Sequence, residues 1–369
     1  MGDNLNDMKL LFQIILVSWV LCGSVDAQPF FSGAGEQEDW MGTYFQGRKI
    51  GFTRVQTRWT PEAIEVDSKV FFQIRSESTD QSTTINQTTR LSSDFKLLGF
   101  SLLQEINGHR KQVVGRMKGN RLTYRVTSRG FDKEQSIDLP PKVLPSSTFL
   151  LNLLVNGLEV GQKGTLPLFL EPFLMLVSLD YEVLRQEKLE YEGKPVETYV
   201  IKQRFRGIET ILWVDGDGTV IKETNNQGFK SFKEPANIAQ KLDKPLSVSN
   251  FITMSLVKPS QPINRPDRLR EITFHLKPIR SSDLIPQDHR QKVLKTEALP
   301  NDFYRVTLQV KTEPERIVGF SNWPKKSLLY AKYLEESAEV QSHHPMIESL
   351  AGELAGETKN DWEVAQDIN

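Results

Sequence analysis

Cysteine is nearly absent from this chain. Its one occurrence, Cys22, directly follows an N-terminal apolar run, so residues beyond it can form no disulfide, present no thiolate nucleophile and build no zinc–thiolate site. Charge of one sign is also lacking. Forty-six Lys and Arg face 47 Asp and Glu, which removes the electrostatic ground for binding nucleic acid or an anionic membrane. No internal repeat, low-complexity tract or charge block interrupts the sequence. Signature motifs are missing as well: there is no G-x-S-x-G, no P-loop and no G-x-G-x-x-G. What remains is 369 residues, 38% hydrophobic, enough for two or three domains with a sizeable core.

The only strongly apolar run is Leu10–Leu21, preceded by Lys9 and followed by Val25-Asp26-Ala27. This pattern predicts a secretory signal over 1–27 with cleavage near Ala27, and hence an exported, periplasmic or extracellular protein. The run is too short for a full membrane span. Leu21, where a lipoprotein signal needs a small residue, argues against lipidation at Cys22. Loss of Lys9, Asp3, Asp7 and Asp26 leaves 45 basic and 44 acidic side chains. A flexible leader is expected over 28–39.

From Trp40 to Glu223 apolar and polar residues alternate between tight turns, the pattern of an antiparallel sheet. Gln46-Gly47, Asn107-Gly108 and Gly119-Asn120 mark hairpins. Phe100, Leu102 and Ile106 share one strand face, Val113 and Met117 lie on the return strand, and Leu122, Tyr124 and Val126 alternate after the next turn. Further breaks fall at Arg206-Gly207 and Asp215–Gly218. One segment is helical: within LPSSTFLLNLLVNG, Ser146 or Ser147 is placed to cap a helix over 146–156 that Gly157 ends. Being apolar nearly all round, it is expected to be buried. The predicted fold is mainly β (α+β), with a strongly curved antiparallel sheet over 40–232 folded across that helix.

Five prolines between 232 and 268 mark a linker, placed at 233–246. LREITFHLKP and FYRVTLQVKT then give two strands of a small β module over 247–332. A short helix over 345–354 follows Pro345. A second is expected from Thr358, where Thr358 and Asp361 have capping-box spacing ahead of Trp362, Ala365 and Ile368.

No residue earns a catalytic, cofactor-binding or metal role from these patterns. Asp215 and Asp217 resemble the start of a calcium loop, but Val220 and Asn226 stand where glycine and glutamate belong, so a hairpin turn is expected. His343-His344 lacks the spacing of a metal pair and is expected to be a polar turn before the helix. His109, His275 and His289 have no partner visible in sequence. Asn86 heads a formal glycosylation sequon.

Four stretches carry a resemblance. EDWMGTYFQGRKIGFTRV, LWVDGDGTVIKE, DHRQKV at 288–293 and the segment YLEESAEVQSHHPMIESLAGELAGETKNDWEVAQDI resemble, in that order, the exported region preceding bacterial transglutaminase-like domains. The resemblance covers 40–369. It implies an accessory region that presents a protein or cell-envelope polymer to a Cys-His-Asp core, with 333–369 as the beginning of that core and its triad beyond Asn369. The curved sheet also resembles the half-barrels of lipoprotein carriers, which implies an alternative: an apolar ligand or lipid held on the concave face. The other side of that alternative is a concave face filled by the helix at 146–156.

Overall fold

The protein is described from a computed structural model covering residues 35–76, 79–205, 207–247, 260–279, 285–300, 303–312, 335–336 and 342–355. The signal segment and the helix expected from Thr358 lie outside these residues, as does most of 333–369. Contacts divide the chain into two units, Met1–Thr253 with Glu336–His344, and Met254–Glu335 with Pro345–Asn369.

The first unit is a single sheet of sixteen strands. Eight come in succession as a meander: β1 (Gly35–Phe45), β2 (Arg48–Trp59), β3 (Ile64–Ser76), β4 (Thr79–Leu91), β5 (Leu97–Ile106), β6 (His109–Lys118), β7 (Arg121–Ser128) and β8 (Phe131–Asp138). Then come the short β9 (Leu144–Pro145), helix α1 (Phe149–Val155) and a second meander. Its strands are β10 (Lys163–Leu170), β11 (Met175–Tyr191), β12 (Lys194–Phe205), β13 (Ile208–Asp215), β14 (Val220–Asn225) and β15 (Phe229–Lys233). β15 closes back on β1 through the register Met41↔Lys233 to Phe45↔Phe229, which joins the two meanders into one sheet. The sheet is not closed: β8 ends one edge and β9 the other.

The turns follow the sequence signals. Gln46-Gly47 and Asn107-Gly108 both have two positive φ values, as a type I′ hairpin requires, and Gly119 is positive alone. Such turns match the right-handed strand twist, and glycine or asparagine tolerates them because little or no side chain clashes there.

Two residues show how far the sheet rolls. β5 is fourth and β10 fourteenth in the strand order, yet the rings of Phe100 and Phe169 lie 6.1 Å apart. The β9–β10 edge is thus tucked into the concavity of the first meander. Gly115, opposite Phe100 on β6, leaves the room this needs, since a Cβ there would overlap the Phe100 ring. One apolar cluster, including Val55, Val66, Phe72, Leu102, Val113, Leu122 and Phe169, lies under the first meander. The other, including Leu168, Leu170, Val183, Ile201 and Leu212, lies under the second. α1 stands between them: Leu151 packs in the first cluster, Phe149, Leu150 and Leu153 in the second. The helix therefore packs against the apolar part of the concave face.

Three sequence expectations change. First, the leader expected over 28–39 ends early, because β1 begins at Gly35. Its polar start, Gly35–Asp39, carries no apolar alternation and is strand only because β2 pairs with it from Trp59 to Val55. Second, the linker expected at 233–246 is a strap on the sheet. After Lys233 it forms the short helix α2 (Ala236–Ala239) and ends in β16 (Leu246–Ser247), which runs parallel to β3 at Ile74 and Arg75. Ala239 and Leu246 are buried, the Asp243 amide donates to the Lys49 carbonyl at 3.1 Å, and the Lys49 amide donates to the Asp243 carboxylate at 2.7 Å. Under the strap, Lys49 Nζ reaches Glu234 at 2.6 Å and the Ile238 carbonyl at 2.7 Å, while Tyr44 donates to Glu234 at 2.5 Å. Third, neither serine caps α1. Ser146 and Ser147 lie in a 3₁₀ turn, Ser146–Thr148, that makes no side-chain cap, and the Ser146 hydroxyl points elsewhere.

The second unit contains a three-stranded antiparallel sheet, β17 (Glu271–Ile279), β18 (Gln291–Leu299) and β19 (Phe303–Lys311), with β19 in the middle. Its third strand, β18, was not evident in the sequence pattern. Val306 and Leu308 are its buried side chains. Helix α3 (Pro345–Ala355) exposes Met346, Ile347 and Leu350. Among the described residues no helix is long and apolar enough to cross a membrane.

Candidate functional site

The chemistry of the large sheet lies where its tucked edge meets α1. β10 ends at Leu170, and the chain turns through a 3₁₀ segment, Glu171–Phe173, beside the Ser146–Thr148 turn. Leu174, with φ of 52°, brings the chain out again into β11. This geometry carries Glu171 into the interior, where it is fully buried with Ser146 and Thr148, while Ser147 is largely buried. Ser146 Oγ donates to Glu171 Oε2 at 2.5 Å, and Thr148 Oγ1 donates to the Pro145 carbonyl at 2.9 Å. Glu171 Oε1 and Ser147 Oγ have no hydrogen-bond partner among the described residues.

Burial pushes the Glu171 carboxyl up to about 7. The Ser146 hydroxyl and the backbone amides of Glu171 and Ser146 pull the other way. A carboxyl poised there can donate or accept a hydrogen bond near neutral pH. Among the described residues no histidine accompanies it, so the Ser146–Glu171 pair lacks the base that activates a serine nucleophile.

More polar side chains occupy the inner face of the sheet. Thr57, Thr83 and Gln203 are buried and, like Ser147, carry side-chain atoms without a partner among the described residues. Others are satisfied in place: Gln87 donates to Thr89 at 2.9 Å, and Thr43 meets Ser231 at 3.2 Å. Buried polar atoms in folded proteins are nearly always paired, because each unpaired one costs about 1–3 kcal/mol. The rim near the end of α1 is apolar, with Val155 and Val160 exposed and Leu158 half-buried against the second cluster.

The residues weighed in the sequence are placed apart. Asp215 Oδ1 accepts the amides of Asp217 at 3.1 Å and Thr219 at 2.8 Å, so it closes the β13–β14 turn. His343 is exposed, 3.3 Å from Ser342 Oγ and 3.8 Å from Glu336. His109 opens β6 at an exposed hairpin, and His289 lies in an exposed loop. Asn86 is exposed on the outer face of β4. His275 lies on β17 beside Thr307. Among the described residues no cluster of three or more His, Cys, Asp or Glu is placed to hold a metal ion. Glu171 escaped the sequence reading. In LFLEPFLML it is a lone acid within an apolar run, and that isolation was the available signal.

No family model and no curated protein matches this chain. Among solved structures it is similar to a β-barrel-like protein of a domain of unknown function (DUF1849) from Brucella abortus. The likeness covers 55% of this chain and 95% of that one, at 10% identity and a TM-score of 0.43.

Proposed function

We propose that residues 35–247 form a binding domain for an amphipathic apolar ligand. Its hydrocarbon part lies beside α1 on the inner face of the sheet, and its polar end meets Glu171 and Ser147. One observation carries this reading: Glu171 Oε1 and Ser147 Oγ, on two 3₁₀ turns joined by the Ser146–Glu171 hydrogen bond, have no partner among the described residues. A polar head with one donor and one acceptor completes both, while an acyl chain suits the aliphatic walls of the two clusters. The apolar rim at Val155, Leu158 and Val160 is the way in, and α1 shifts outward to admit the chain. The test is solvent extraction of the purified protein followed by mass spectrometry, with displacement of a fluorescent fatty acid. About one equivalent of lipid is expected, with binding at least tenfold weaker in Ser147→Ala at unchanged melting temperature. A protein free of extractable lipid and silent to the probe sinks the reading.

A second reading follows from the ordered motifs at 38–55, 212–223, 288–293 and 333–368. On it, the exported chain presents a protein or cell-envelope polymer to a transglutaminase-like thiol core. Adding the chain to such a core supplied separately should raise amine incorporation into envelope material. An unchanged rate removes this reading and leaves the first standing.

A further inference from the structure

The β17–β19 sheet has one polar face, and its side chains are arranged by register. Glu271, Thr273, His275 and Lys277 alternate to one side of β17, with Ile272, Phe274 and Leu276 on the other. The pairing His275↔Thr307↔Lys295 sets three polar side chains in a row across the sheet, and Glu297↔Arg305 forms the next row. Neighbouring strands lie about 4.8 Å apart and same-face residues about 7 Å apart along a strand, so these groups surround one spot. A groove of about 440 Å³ lies there, lined by His275, Lys277, Lys295, Glu297, Arg305 and Thr307.

Charge within the groove does not cancel. Lys277, Lys295 and Arg305 face the single carboxylate of Glu297. Glu297 holds Lys295 Nζ at 2.6 Å and lies 3.5 Å from Arg305, so it fixes two cations side by side rather than neutralising the set. Lys277 has no ion pair among the described residues. Thr307 Oγ1 lies 3.2 Å from His275 Nδ1, which adds a hydroxyl and a ring nitrogen to the lining. At the far end of the same face, Glu271 and Lys311 pair with each other at 3.3 Å and add no net charge.

We propose that this groove binds a phosphate-type oxyanion. Three cationic side chains and a hydroxyl around one spot suit a tetrahedral group with several charged oxygens better than a single carboxylate, which two of these cations already satisfy. Arg305 provides a fork that matches two oxygens of such a group, while Lys277 and Lys295 act as point charges beside it. The side chains are about half exposed, so binding is weak and falls as salt rises. The phosphate can be free, carried on a polymer or part of a lipid head group. The inference does not depend on the ligand proposed for residues 35–247.

The experiment uses the exported chain, 28–369, and histidine ring signals in a proton–carbon NMR spectrum, with the His275 signal assigned by its loss in His275→Asn. Titration with inorganic phosphate at fixed ionic strength should shift the His275 signal saturably while His109 stays still. Lys277→Gln and Arg305→Gln should each weaken the response at least fivefold without moving the melting temperature. A chloride titration giving the same shift, or both variants responding as the parent does, overturns the proposal. Co-sedimentation with phosphatidylglycerol vesicles that Arg305→Gln abolishes assigns the phosphate to a lipid head group. Phosphate binding without co-sedimentation assigns it to a free or polymer-borne source. Co-sedimentation indifferent to both variants counts against the groove.

Discussion

Lys49 and Glu234 form an ion pair of 2.6 Å beneath the strap, with both side chains largely withdrawn from water. The pair joins β2 to a segment 185 residues later in the chain. Tyr44 donates to the same carboxylate, and its hydroxyl is held well above its ordinary range, first by burial and then by Glu234. Removing one member leaves the other charged, buried and unpaired. Lys49→Met should therefore cost about 3 kcal/mol in urea unfolding, and the double variant Lys49→Met, Glu234→Leu should recover part of that loss. If the double variant is no better than the single one, the strap does not depend on this charge pair. Gly42→Ala probes the same spot from below, because a Cβ there would collide with the Glu234 carboxylate.

Glu171 makes stability depend on pH in an unusual direction. Its folded value of about 7 stands above the ordinary 4.5, so between these the unfolded chain releases a proton that the folded chain keeps. The group's contribution is at its best below pH 4.5, falls as pH rises to 7 and is constant above. The 2.5-unit difference corresponds to about 3 kcal/mol. Glu171→Gln keeps an acceptor for Ser146 and removes the titration. The difference in stability between variant and parent should therefore grow between pH 5 and 8 in the variant's favour. A pH-independent difference would contradict the assignment.

The contact of Phe100 with Phe169 holds the tucked edge inside the sheet. Phe169→Ala should lose about 4 kcal/mol, since it removes a fully buried ring shared by strands distant in the sheet order. Gly115→Ala should cost about 1–3 kcal/mol by forcing the Phe100 ring aside. Thermal unfolding of both variants checks the pair, and a neutral Gly115→Ala would show that the ring has other room.

Asp215 closes the β13–β14 turn by accepting two backbone amides. Asp215→Ala should lose about 1–2 kcal/mol, because two backbone amides lose their acceptor. Millimolar calcium should leave the melting temperature of the parent unchanged; a calcium-dependent rise would restore the ion-binding reading.

The sequence by itself determined the local structure of the large sheet. Paired turn residues such as Asn107-Gly108 admit few backbone conformations, and period-2 alternation fixes which side chains of β5 to β7 face the core. The apolar run Phe149–Val155 likewise announced a buried helix. The tertiary structure alone decided the rest. β1 begins in polar residues because β2 offers it hydrogen bonds. The proline-rich strap is held by Lys49, Asp243 and Glu234, whose meeting no local pattern encodes. Glu171 acquired its buried carboxyl, and His275 its cationic neighbours, in the same way. Burial and charge environment depend on strands brought together across the fold, whereas turn and alternation signals act over a few residues.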